Sequence, residues 1–130
     1  MGQKYILDTN TVIDYIGNKL PETALLGIDA IVNQGFYTSI IIKIEVLGFN
    51  GEADEMQKLR DFLSLAHTFF VDEAIAEKTI ELRKNFRKLK LGDALIAATA
   101  IVHDCGVITR NTKDFTDIGV KEVLNPCEMG

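Results

Sequence analysis

An α/β fold built on a mainly parallel sheet, with helices on both faces, is what three observations in this 130-residue chain predict. Short β-rich apolar runs alternate with longer stretches of helical spacing, the pattern of strands joined by crossover helices. The most apolar segment, ALIAATAIV at 94–102, lies just before the β-run GVITR, so an apolar helix feeds a strand. Acidic residues recur where strand-like runs end, and open sheets of this kind place their ligand sites at the carboxyl ends of the strands.

The elements follow in order. KYILD, residues 4–8, is a strand whose apolar run Tyr5-Ile6-Leu7 stops at Asp8. TVIDYIGN (11–18) carries a short helix, with Thr9 to Thr11 offering caps. Pro21 can open a second helix over PETALLGIDAIVNQG, closed by Gly35. FYTSI (36–40) is a strand and IIKIEVLGF (41–49) the helix after it. EADEMQKLRDFLSLA (52–66) has helical spacing at Met56, Leu59, Leu63 and Ala66, and TFFVD (68–72) is a short strand. DEAIAEKTIELRKNFRKLK (72–90) is an amphipathic helix with Ile75, Thr79, Leu82 and Phe86 on one face. GDALIAATAIVHDCG (92–106) is a helix starting near Asp93 and stopping at Gly106. GVITR (106–110) and a run within VKEVLNP (120–126) complete the sheet.

A hydrophobic fraction of 47% supports a proper core, and the length suits one domain spanning residues 1–130. The formal net charge of −5, from 14 basic and 19 acidic residues, excludes a protein that coats nucleic acid through bulk charge but allows a local basic patch. Cys105 and Cys127 are too few for a disulfide scaffold and lack zinc spacing, so reduced cytosolic thiols are expected. The longest apolar run is about half the ~20 residues a bilayer span requires, and the first residues carry no signal-peptide core. A cytoplasmic protein without membrane contact is the expectation.

Four carboxylates share a placement. Asp8 ends the first strand; Glu45 follows the second on an otherwise apolar segment; Asp93 opens the most apolar helix; Asp114 follows GVITR. Together they would crowd one edge of the sheet, where like charges raise each other's pKa. A divalent cation relieves that repulsion, and oxygen ligands suit Mg²⁺ or Mn²⁺. Two such ions could clamp the attacking and leaving oxygens of a phosphodiester. Each residue also has a plainer reading: Asp8 and Asp93 as helix caps, Asp114 as a turn residue, Glu45 on a solvated helix face. It is the joint placement that argues for chemistry.

The stretches YILDTNTVID, SIIIKIEVLGF, LGDALIAATAIVHDCGVITRN and RNTKDF, taken together, resemble the PIN-domain family, in particular its VapC-type toxin ribonucleases. The resemblance covers essentially the whole chain. It implies a PIN-like three-layer α/β/α sandwich with a central, mainly parallel twisted sheet. It implies Mg²⁺- or Mn²⁺-dependent cleavage of RNA, a homodimer, and neutralisation by a small cognate antitoxin seated partly on the early helices, 12–34. In that groove, surplus apolar residues such as Leu25, Leu26, Ile28 and Ile31 are candidates. Asp8, Glu45 and Asp93 match the family's three acidic positions, and Asn10 matches the small polar residue that orients the first aspartate, beside Thr9. The fourth position is open: eighteen residues beyond Asp93, where many members carry Asp, stands Asn111, whereas Asp114 belongs to the NxxDF pattern of VapC-like members. An asparagine can coordinate through its carbonyl but brings no charge.

The basic run LRKNFRKLK holds Arg83, Lys84, Arg87, Lys88 and Lys90 just before Asp93. Contact with an RNA backbone is one reading of these residues and a solvated helix face the other. Arg110 either faces substrate or pairs with one of the site's own carboxylates. His67 and His103 are isolated and read as structural. Two other functions fit less well. A HAD-type phosphatase would need a second acid where Asn10 stands. A non-catalytic PIN fold kept for protein contacts would not need Asp8, Glu45 and Asp93 together.

Overall fold

A computed structural model describes residues 3–129. Five short strands form one wholly parallel sheet: β1 (Tyr5–Leu7), β2 (Tyr37–Ser39), β3 (His67–Phe69), β4 (Gly106–Ile108) and β5 (Val123–Leu124), in the spatial order β3-β2-β1-β4-β5. Between them, among the described residues, run six helices: α1 (Thr9–Ile16), α2 (Glu22–Gln34), α3 (Ile40–Leu47), α4 (Ala53–Ser64), α5 (Glu73–Asn85) and α6 (Leu91–Val102). Right-handed crossovers place α1 to α4 on one face as the chain steps outward from β1 to β3, and α5 and α6 on the other as it returns to β4. The packing agrees, since α1, α3 and α4 contact one another and α5 packs along α6. The product is the α/β/α sandwich that the alternation of apolar runs predicts.

The order of strands reverses direction between β1 and β4, and a crevice opens at such a switch point outside the strand ends. Here β1 and β4 run in register, Leu7 opposite Ile108, so Asp8 and Thr109 leave the sheet side by side. Ile6, Leu7, Val107 and Ile108 are fully buried, as central parallel strands covered on both faces require. In α6 the small residues Ala94, Ala97, Ala98 and Ala100 are buried, which lets this helix lie close against its neighbours.

Several boundaries differ from expectation for local reasons. The first helix begins at Thr9, two residues early, because the Asp8 carbonyl already accepts the Val12 N–H at 3.0 Å. Thr9 to Thr11 therefore lie inside it, and Asp8 stands at the cap position. Pro21 and Gly35 do bracket α2, the latter at φ 103°, which favours glycine. In α4 it is Phe62 and Leu63 that are buried; Phe62 stacks on Phe36 at 4.7 Å, and Ala66 falls outside the helix. The helix expected over 72–90 stops at Asn85. Phe86 leaves helical geometry (φ −130°, ψ 86°) and Leu89 turns into the core, so the basic run splits between the end of α5 and a turn. The next helix starts at Leu91 rather than at Asp93.

Candidate active site

The site begins with a buried charge. Asp8 is 5% exposed, and its Oδ2 accepts a hydrogen bond from Thr109 Oγ1 at 2.8 Å. Asp8 stands before α1 without the usual side-chain cap bond, its one tie to the helix being the N–H of the adjacent Thr9, so helix capping does not account for its burial. Thr109, itself fully buried, is fixed in turn: Asn10 Nδ2 donates to its Oγ1 at 3.2 Å and the Asn111 N–H at 3.1 Å. Asn10 Oδ1 accepts the Arg110 N–H at 3.1 Å. Asn10 thus orients the first aspartate through Thr109 and the loop after β4, not by touching it. A carboxamide cannot deliver a proton, so the phosphatase reading, which needs a general acid at this position, does not fit Asn10.

Glu45 arrives on α3, which Ser39 starts cleanly by accepting the Ile42 N–H at 3.1 Å. Its Oε1 accepts from Thr9 Oγ1 at 2.6 Å, bridging the first turn of α1 to α3. Its Oε2 lies over Gly92, where a β-carbon would come within 3.1 Å. Glycine in the first turn of α6 therefore leaves room for the carboxylate. Asp93 sits one residue on, at the third position of α6, while Lys90 holds the cap position without a side-chain cap bond. Capping is not the role of Asp93 either. Asp114 closes a single 3₁₀ turn, Thr112–Asp114, and is half-buried.

Two of the four carboxylates, Asp93 and Asp8, are shifted by burial and by the charge of the others. Burial pushes Asp93 up to about 6, and Asp8, Asp114 and Glu45 add to the rise, with Lys90 opposing. Asp8 is raised as well, chiefly by burial and then by Glu45 and Asp114, against hydrogen bonds from Thr109 and the Thr9 N–H that favour the carboxylate. Asp114 belongs to this electrostatic group; the Asn111 side chain is exposed, and its backbone is what engages Thr109. Among the described residues no three His, Cys, Asp or Glu side chains are already placed together as the ligands of a metal ion would be. The donor set nonetheless consists of hard carboxylate oxygens, the type that Mg²⁺ and Mn²⁺ prefer.

The basic residues separate. Arg83 and Lys84 lie exposed in the last turn of α5, where a cation complements the helix dipole. Lys90 is close enough to Asp93 to oppose its rise. Arg87 and Lys88 line a groove of about 410 Å³ together with Lys113 and Asp114. Arg110 pairs with a carboxylate, but with Asp14 of α1, Nε to Oδ2 at 3.1 Å, and not with any of the four site acids. Sequence reasoning passed over Thr109, Asp14, Gly92 and Lys113. Thr109 alone carried a signal, a polar residue closing an apolar strand.

Comparison with known proteins bears on the fold and the family. The family model for the PIN domain matches residues 5–121. The ribonuclease VapC1 of Methanocaldococcus jannaschii is 32% identical over 119 residues, covering 86% of this chain and 79% of the relative. Ribonuclease VapC19 of Mycobacterium tuberculosis is 31% identical over 116 residues, covering 85% and 90%. A chain of a toxin–antitoxin complex from Klebsiella pneumoniae superposes with a TM-score of 0.74 at 33% identity, covering 95% of this chain and 98% of that one. A family model over most of the chain, and relatives above 30% identity covering more than four-fifths of it, settle the membership: this chain belongs to the PIN-domain family, among its VapC-type ribonucleases.

Proposed function

We propose that this chain, as one PIN domain over residues 1–130, is a divalent-metal-dependent endoribonuclease, the toxin of a type II toxin–antitoxin pair. One observation carries the reading. Four acids from four separate segments meet at the sheet's switch point: Asp8 and Asp93, both raised by burial, are raised further by the charges of Glu45 and Asp114. A fold gains nothing in stability from such an arrangement, whereas a cation site does.

Asp8, Glu45, Asp93 and Asp114 would hold Mg²⁺ or Mn²⁺. Asp114 is favoured over Asn111 because its charge acts on Asp8 and Asp93. The bound ion would neutralise phosphate charge and make water a better nucleophile. The chain's own part is to fix the acids. Thr109 and Asn10 hold Asp8, Thr9 holds Glu45, and Gly92 leaves space beside Glu45. Lys90 lends positive charge next to Asp93.

The same reading includes a homodimer, a cognate antitoxin and a cytoplasmic setting. Leu26 of α2 is 64% exposed, and a groove of about 270 Å³ lined by Ile13, Ile16, Lys19, Glu55 and Leu59 runs between α1 and α4. Both support a partner on the early helices. No helix among the described residues is long and apolar enough to cross a membrane. The test is cleavage of single-stranded RNA by the purified chain with Mn²⁺ or Mg²⁺. Cleavage should require the metal and disappear in Asp8→Asn. A well-folded chain that stabilises with Mn²⁺ yet cleaves no RNA would leave a binding module instead.

A further inference from the structure

The turn after α5 and the 3₁₀ turn after β4 face each other across the 410 Å³ groove. Its chemistry follows from how each turn is built. On one side Leu89 is buried and Phe86 half-buried, so the intervening residues Arg87 and Lys88 are forced outward and are exposed. On the other side Lys113 is exposed, while its neighbour Asp114 turns inward. The groove thus has three cations at its rim, Phe86 and Ile118 as apolar surface, and Asp114 in its wall. Asp117 is an opposing charge at the same rim, which leaves cations in excess over the two acids. Because Asp114 also belongs to the carboxylate cluster, the groove opens onto the candidate site.

We infer that this groove holds one nucleotide of single-stranded RNA flanking the cleavage point. Lys113, together with Arg87 and Lys88, contacts its phosphate, and Phe86 and Ile118 offer apolar surface to its base. The inference rests on the ribonuclease reading above and extends it to a residue, Lys113, outside the basic run. The physical need is specific. A polyanion approaching a chain of net charge −5, at a cluster of four acids, requires cations beside the entry. Cations beside apolar surface are the combination by which single strands are held, phosphate on charge and base on hydrophobic surface. The groove's volume falls within the ~300–1,000 Å³ of small-ligand sites.

The experiment measures binding of a labelled single-stranded RNA by anisotropy over a range of salt, in an Asp8→Asn background that prevents cleavage. Lys113→Glu and the double variant Arg87→Ala/Lys88→Ala are compared with Lys78→Ala, whose lysine pairs with Glu81 elsewhere on α5. Melting curves accompany each variant. The expected result is about tenfold weaker binding by Lys113→Glu at low salt and a salt slope smaller by about 0.7 for each phosphate the variant no longer neutralises. Lys78→Ala should match the parent. Unchanged RNA binding by both groove variants in that background, together with unchanged cleavage when the same substitutions are made in a parent that retains Asp8 and cleaves RNA, would overturn the groove alone. A parent that neither binds nor cleaves RNA would overturn the ribonuclease reading and the groove with it. Loss of poly-glutamate binding in the variants, with RNA unaffected, would make the groove a protein-docking surface and also overturn the inference.

Discussion

Two aspartates six residues apart on the same segment have opposite surroundings. Asp14 is 7% exposed and Asp8 is 5% exposed, so burial costs both of them similarly. Asp14 has a cation: Arg110 reaches it at 3.1 Å, and the pair ties α1 to the loop after β4. Asp8 has a hydroxyl, and beyond it Glu45, Asp93 and Asp114. The fold had an arginine available next to Thr109 and placed it on the other aspartate. A buried acid with its own counter-charge serves structure; a buried acid that is kept among other acids is arranged for a charge that comes from outside.

The largest expected effect comes from neutralising each in turn. Asp8→Asn should lose RNA cleavage by more than the ~10–100-fold typical of residues that only orient a metal ligand, while its melting temperature without metal holds or rises. Asp14→Asn should keep cleavage within a few-fold and lose about 1 kcal/mol of stability, because Arg110 is more than half exposed and water screens the pair. Cleavage rates and denaturant melts of the two variants would separate the roles, and equal activity loss in both would erase the distinction. Thr109→Val removes the donor to Asp8 at nearly constant shape, so metal affinity, read by titration against melting temperature, should weaken ~10–100-fold.

A smaller effect should split stability from activity. Gly92→Ala places a methyl about 3.1 Å from Glu45 Oε2, and Glu45 must shift by a few tenths of an ångström. Alanine favours the helix by roughly 0.5–1 kcal/mol. The variant should melt no lower than the parent yet cleave more slowly; unchanged cleavage would mean that Glu45 tolerates displacement. The smallest effect is on pH. Asp93 titrates at about 6 in the folded chain against 3.8 ordinarily. Between those values the folded state binds more protons than the unfolded state, so metal-free stability should fall as pH rises from ~4 to ~6 and then flatten. Asp8, also raised, acts in the same direction. Melting curves across that window in chelator check this, and a rise with pH would contradict it.

The sheet was legible because central parallel strands must be apolar, and YIL and GVI are short apolar runs ended by polar residues. Asp8 was legible because it ends such a run, Asp93 and Asp114 because they stand near the start of a helical turn, and Glu45 because it is the lone acid of an apolar segment. What was hidden depends on partners far along the chain. Nothing near Asp14 reveals that Arg110, 96 residues away, will neutralise it, and nothing near Phe86 reveals that the core will draw it and Leu89 out of the helical path. Thr109 looks like any strand-end threonine until register sets it beside Asp8. Lys113 stands alone in sequence and joins Arg87 and Lys88 only across the groove.

The central claim is that the charge these acids await is a divalent cation, and thermal melting with Mn²⁺ titrated into parent, Asp8→Asn and Asp14→Asn tests it most directly. The parent and Asp14→Asn should be stabilised by about 2.7 kcal/mol at a hundred times Kd, and Asp8→Asn by far less at the same concentration. Equal stabilisation of all three, or none in a parent that cleaves RNA, would contradict the account.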